Sequence, residues 1–215
     1  MRIDLEHYWN ELGRAMEAMP FALLAEVADT LLDCHHRGGT VFIVGNGGSA
    51  ATASHFACDL AKGTQTSGIP AFRVMPLTDN MPLITAWAND VGYEHVFAQQ
   101  LATLARPGDV LVIISASGNS PNVLAAARTA RKYGVSTIAL TGESGGKLRR
   151  LADLTVRVPS PSIEQVEDAH LIIGHSLCVA LRGRLRAEAE DRAILQAPMP
   201  GLMPLGTDTD ASVAV

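Results

Sequence analysis

Residues 45–60 read GNGGSAATASHFACDL, a tight glycine turn running into a helix-forming stretch. His55 and Asp59 stand four apart in that stretch, so a helix sets both on one face, within reach of one ion or one substrate. An imidazole and a carboxylate placed in this way can ligate a divalent cation or move protons, although the same pair is also an ordinary helix-surface hydrogen bond. Further on, VEDAHLIIGH contributes Glu167, Asp168, His170 and His175. Spacing pairs Asp168 with His175, seven apart on one face, or Glu167 with His170, and leaves both open. His170 is read as structural.

Two loops are rich in the residues that hold anions. GNGGSA follows the strand-like TVFIV, and SASGNSPN (115–122) follows VLVII. Glycines let backbone N–H groups approach a ligand closely, and a following helix N-terminus adds partial positive charge suited to phosphate. Ser49, Ser115, Ser117 and Ser120 add hydroxyl donors. Neither loop carries the lysine of a Walker loop, and the first is G-N-G-G-S rather than G-x-G-x-x-G, so a phosphomonoester fits better than a nucleotide. Ser49 and Ser120 acting only as helix N-caps is the plainer alternative, and the recurrence of one composition in two loops argues against it.

The elements that must carry these loops follow from periodicity. Short apolar runs recur at 40–44, 71–75, 110–114, 136–140 and 154–158, and alternate with the helical stretches 49–62, 94–105 and 121–133. Continuously apolar strands separated by helices predict a doubly wound α/β fold, a five-stranded parallel sheet flanked by helices and covered on both faces. In such a sheet ligands bind beyond the carboxyl ends of the strands, where both serine loops fall. Ahead of the first strand lies an N-terminal helical arm (1–37), two apolar-striped helices broken at Pro20, which needs a core or another subunit to cover it. A last helix spans about 163–195. Residues 1–195 are read as a single domain, and residues 196–215, rich in Pro, Gly and small polar residues, as a mobile tail.

Seventeen basic against 22 acidic residues give a net charge of −5, which repels nucleic acid. No apolar run approaches the roughly 20 residues that cross a bilayer, and the N-terminus lacks the pattern of a signal peptide, so a cytoplasmic protein is expected. Three cysteines without C-x-x-C spacing, Cys34, Cys58 and Cys178, argue against disulfides or a thiolate zinc site.

GNGGSAATASHF, ISASGNSPNV, TAWANDVGYEHVF and LTGESGGKL together resemble the sugar isomerase (SIS) domain, specifically its phosphoheptose isomerase branch, over roughly residues 35–182. The resemblance implies a phosphosugar cradled by Ser49, Ser115, Ala116, Ser117 and Ser120, with Asn46, Gly47, Gly48, Asn89, Asp90 and Glu167 lining the sugar site. It implies an aldose–ketose isomerase acting on sedoheptulose 7-phosphate through an enediol, giving a heptose 7-phosphate for nucleotide-activated heptose synthesis, and a homotetramer. It selects Asp59, Glu167 and His175 as catalytic residues and His55, Asp59, Glu167 and His175 as ligands for Zn²⁺ or another divalent ion. The chain departs twice from the family pattern: Asp59 stands where the family has a glutamate, and Glu167 where it has a glutamine. Glu167 and His175 lie roughly 12 Å apart along a helix axis, so both would have to reach inward to share an ion. A non-enzymatic SIS-domain regulator, such as the replication-initiator-associating protein, and an isomerase of another phosphosugar are the competing readings.

Overall fold

The computed structural model describes residues 2–196. Its five strands are β1 (Thr40–Gly45), β2 (Arg73–Pro76), β3 (Val110–Ile114), β4 (Ser136–Gly142) and β5 (Leu154–Val158). They form one sheet in the order β2-β1-β3-β4-β5, every neighbouring pair parallel. This is the doubly wound fold the alternation predicts. The order reverses between β1 and β3, and the two serine loops leave those two strands.

Seven α-helices accompany the sheet: α1 (Arg2–Glu17), α2 (Phe21–His36), α3 (Gly48–Cys58), α4 (Met81–Val91), α5 (Val96–Leu104), α6 (Pro121–Lys132) and α7 (Ile163–Gln196). The central strands β1 and β3 read as apolar runs because both faces are buried, whereas the edge strands β2 and β5 each expose an arginine, Arg73 and Arg157. Val41 and Ile43 join one core with Phe56 of α3, Leu31 of α2 and Ile173 of α7, while Phe42 and Val44 join the other with Phe97 of α5 and Ala127 of α6. The arm is two helices, as expected, with α1 ending at Glu17 and α2 starting after Pro20. No helix of the described residues is long and apolar enough to cross a membrane. The tail expected over 196–215 lies outside the described residues, except for Gln196, which ends α7.

Three details depart from the sequence reading. The strand expected at 71–75 is Arg73–Pro76, at the sheet edge. Helix α4 was not foreseen, although Ile84, Trp87 and Ala88 form a stripe that packs on the second core without full burial; Asn80 caps it by accepting the Leu83 N–H, and Pro82 lies in its first turn. The helix expected to run unbroken over 49–62 widens after Cys58 into a π-helical turn, Asp59–Gly63. The buried Thr64 hydroxyl donates to the Leu60 carbonyl at 2.6 Å, satisfying an acceptor within that turn.

Candidate active site at the switch point

At the end of β1 the chain turns through Gly47, whose φ of 54° and ψ of −123° only glycine adopts without strain, and enters α3 with Ser49 buried behind the turn. The second loop is braced from behind. Ala116 O accepts the Gly142 N–H at 2.9 Å, Gly118 O accepts from Leu148 at 3.0 Å, and Asn119 Oδ1 accepts from Lys147 at 3.1 Å. A side chain on Gly118 would begin 2.3 Å from Gly145 O, so residues 142–148 pack directly on the loop. The stretch LTGESGGKL thus serves as the back wall of the serine loop.

The hydroxyls differ in what they do. Ser115 is buried, and Ser117 Oγ accepts the Asn119 N–H at 3.2 Å. Ser120 stands at the N-cap of α6 yet makes no side-chain capping bond, which leaves its hydroxyl for a ligand. Cavities flank the loop on both sides. One of about 310 Å³ is bordered by Ala116, Ser117 and Glu143, and one of about 350 Å³ is lined by Asn46, Tyr93, Glu94, Ser120, Pro121 and Asn122.

The opening His–Asp pair acquires a third member. His55 Nε2 lies 3.4 Å from Asp59 Oδ2, His175 Nε2 lies 3.5 Å from the same oxygen, and the two imidazole nitrogens are 3.0 Å apart. The π-turn begins at Asp59, and Arg182, seven residues beyond His175 on α7, donates to Gly63 O at 3.1 Å at its end. One face of α7 therefore supplies a site residue and fastens the turn that carries another.

Without a cation one imidazole nitrogen donates and the other accepts; two nitrogens and a carboxylate oxygen converging in this way also form a donor set for Zn²⁺ or a similar ion. Donor atoms on a tetrahedral zinc lie roughly 3.3 Å apart, close to the three separations here. Glu167 is not in this group of three. Its carboxylate lies over the start of α3, with Oε2 3.2 Å from where a side chain on Gly48 would begin. Cys178 sits one turn beyond His175 but is buried, and burial, aided by the Asp59 charge, pushes its thiol up to about 12.

The remaining candidates lie around this centre. Asn89 and Asp90 are exposed near the end of α4, where Asn89 Nδ2 donates to Asp90 Oδ1 at 3.0 Å. Three residues past Asp90, Tyr93 reaches back to the first loop, its hydroxyl donating to Asn46 Oδ1 at 3.1 Å. Sequence reasoning passed over Tyr93 and Asn122, the second of which reads as ordinary helix-start filler after Pro121. Asp168 accepts from the Tyr8 hydroxyl, tying α7 to α1. His170 is 1% exposed, and burial pushes its imidazole down to about 4, partly offset by a hydrogen bond with the Thr141 backbone.

Known proteins share this architecture. The family described as SIS domain matches residues 7–142. The phosphoheptose isomerase of Rhodospirillum rubrum is 45% identical over 155 residues, covering 72% of this chain and 82% of that protein. That of Mycobacterium tuberculosis is 44% identical over 151 residues, covering 70% and 76%. The solved phosphoheptose isomerase of Neisseria gonorrhoeae superposes with a TM-score of 0.79 at 33% identity, covering 85% of this chain and 98% of that one. Sequence and fold thus agree over most of the length, and the chain belongs to the SIS domain family, in its phosphoheptose isomerase branch.

Proposed function

We propose that this chain isomerises sedoheptulose 7-phosphate to the corresponding aldose, D-glycero-D-manno-heptose 7-phosphate. The observation that carries the reading is the convergence of His175 of α7 with His55 and Asp59, which lie on the helix and π-turn that leave the glycine-rich first loop. Moving a proton between adjacent carbons of a ketose requires a base beside the carbonyl and a group that shuttles a proton between the two oxygens. The serine loops hold the phosphate end, with Ser120 and the α6 N-terminus supplying donors. Asp59 is the carboxylate placed to take the carbon-bound proton, and His175 Nε2, 3.5 Å from it, is placed to serve the oxygens of the enediol.

With a divalent ion bound, His55, Asp59 and His175 would instead be its ligands, three protein groups with a position left open in the pattern of a catalytic zinc site, and Glu167 is then the carboxylate left to take the proton. When bound, the ion supplies polarisation of the substrate carbonyl. Glu167, from its place over Gly48, is assigned to the sugar and to the open side of the cluster.

The functional unit is a homotetramer in the cytoplasm. Leu5 and Trp9, four apart on α1, are 62% and 70% exposed in the isolated chain, an apolar pair that a neighbouring subunit would cover. Residues 1–195 act as one domain, the arm included.

Incubating the purified protein with six-, seven- and eight-carbon ketose phosphates and following aldose formation by NMR tests the assignment. Conversion of the seven-carbon substrate is expected. Tight phosphosugar binding with no aldose from any of the three would replace the enzyme with a binding module.

A further inference from the structure

The two serine loops are joined by a pair of carboxamides. Asn46, in the first loop, donates from Nδ2 to Asn122 Oδ1 at 2.9 Å, and Asn122, at the start of α6, donates from Nδ2 to Asn46 Oδ1 at 2.7 Å. Amide orientation follows from the network, and here the network has one member that cannot turn over. The backbone N–H of Val123 donates to the Asn122 side chain at 2.9 Å, so the atom facing it is oxygen. The Asn46 atom facing that oxygen is therefore the nitrogen, and the Asn46 oxygen faces inward.

That inward oxygen is saturated. It accepts from Asn122 Nδ2 and from the Tyr93 hydroxyl, which occupies both lone pairs. The Asn46 Nδ2 group has two hydrogens and, among the described residues, donates only one, to Asn122. Asn122 is 2% exposed, whereas Asn46 is half-buried and borders the same cavity of about 350 Å³ as Ser120. Of the two carboxamides, Asn46 is the more accessible, so its second N–H is the amide donor best placed for a ligand at a cavity wall that also carries the Ser120 hydroxyl.

We propose that Asn122 and Tyr93 are positioning residues that lock the Asn46 carboxamide so that it offers an N–H to an oxygen of the phosphosugar and cannot accept from a sugar hydroxyl. The inference rests on the isomerase reading above. It also gives the segment TAWANDVGYEHVF a task, since Tyr93 fastens it to the first loop.

A double-mutant cycle on sedoheptulose 7-phosphate turnover tests it, using Tyr93→Phe, Asn46→Ala and the pair. Tyr93 is 55% exposed, so its phenylalanine variant keeps the fold. Tyr93→Phe is expected to raise KM about 3- to 10-fold with kcat within about 2-fold, the loss of one orienting hydrogen bond. In the Asn46→Ala background the same substitution is expected to change KM less than about 1.5-fold, because its effect passes through Asn46. An equal rise in both backgrounds, or no rise in Tyr93→Phe alone, overturns the inference while wild-type turnover leaves the isomerase reading intact. A wild type that forms no aldose overturns both.

Discussion

Replacing His170 by leucine removes an ionisable group from the N-terminal part of α7, five residues before His175. The imidazole is 1% exposed, and burial holds it neutral, its pKa pushed from 6.5 down to about 4. Because the folded-state value lies below the unfolded one, the unfolded chain takes up a proton first as pH falls. The stability that depends on the neutral ring is complete above about pH 6.5 and is lost as pH drops towards 4. A gap of about 2.5 pH units corresponds to about 3 kcal/mol at full development, of which about 2 kcal/mol falls between pH 7 and pH 5. Urea denaturation at pH 7, 6 and 5, at fixed protomer concentration, measures it. The wild type should lose about 2 kcal/mol more than His170→Leu between pH 7 and 5, since the other histidines are common to both proteins and cancel. The polar neighbour of the ring is the Thr141 backbone, whose carbonyl accepts from it, so leucine leaves no orphaned donor behind and the variant should be no less stable at pH 5. Parallel stability curves for the two proteins would refute the reasoning.

Ser120→Ala should weaken binding of sedoheptulose 7-phosphate by about 1–3 kcal/mol in calorimetry, because the hydroxyl makes no capping bond and its role is left to the anion; unchanged affinity would move the phosphate elsewhere. Arg182→Met keeps the aliphatic stem but removes the donor to Gly63 O, and should lower stability by about 1–2 kcal/mol and reduce kcat while phosphosugar affinity is retained. Trp9→Glu should shift the light-scattering mass below that of the proposed tetramer, since Trp9 is 70% exposed on α1 of a lone chain. Asp59→Asn and His175→Ala should each lower the zinc bound per chain, whereas Glu167→Gln, whose carboxylate lies over Gly48 and outside the group of three, should leave it nearly unchanged.

The sheet was legible because its central strands are buried on both faces, which writes runs of apolar residues such as VFIV and VLVII into the sequence, while the edge strands β2 and β5 admit an exposed arginine each. Helix α4 was not, although Ile84, Trp87, Ala88 and Val91 stand at helical spacing, because it is short, starts straight after the Leu77–Asn80 turn, and buries none of its residues fully. The widening at Asp59 leaves no mark in a pattern that continues to look helical up to Lys62. At the site, His55 and Asp59 announce themselves by local spacing. His175 does not: it lies 120 residues from His55 and reaches it only through the packing of α7 on α3, and spacing within α7 pairs it equally well with Asp168, which is engaged by Tyr8 instead. Glu167 shares a helix with His175, but the helical rise separates the two, and Glu167 faces the first loop. The Asn46–Asn122 pair spans 76 residues between two asparagines whose types suit any turn, so only the fold brings them together.

The central claim is that the His55, Asp59 and His175 cluster performs proton transfer on a phosphosugar held by the serine loops. It is tested most directly by measuring kcat and phosphosugar affinity together for Asp59→Asn, with aldose formation from sedoheptulose 7-phosphate as the readout. Loss of the base should lower kcat by about 10²–10⁴-fold with affinity changed only a few-fold, because the loops that grip the phosphate are untouched. Wild-type turnover in Asp59→Asn would contradict the account.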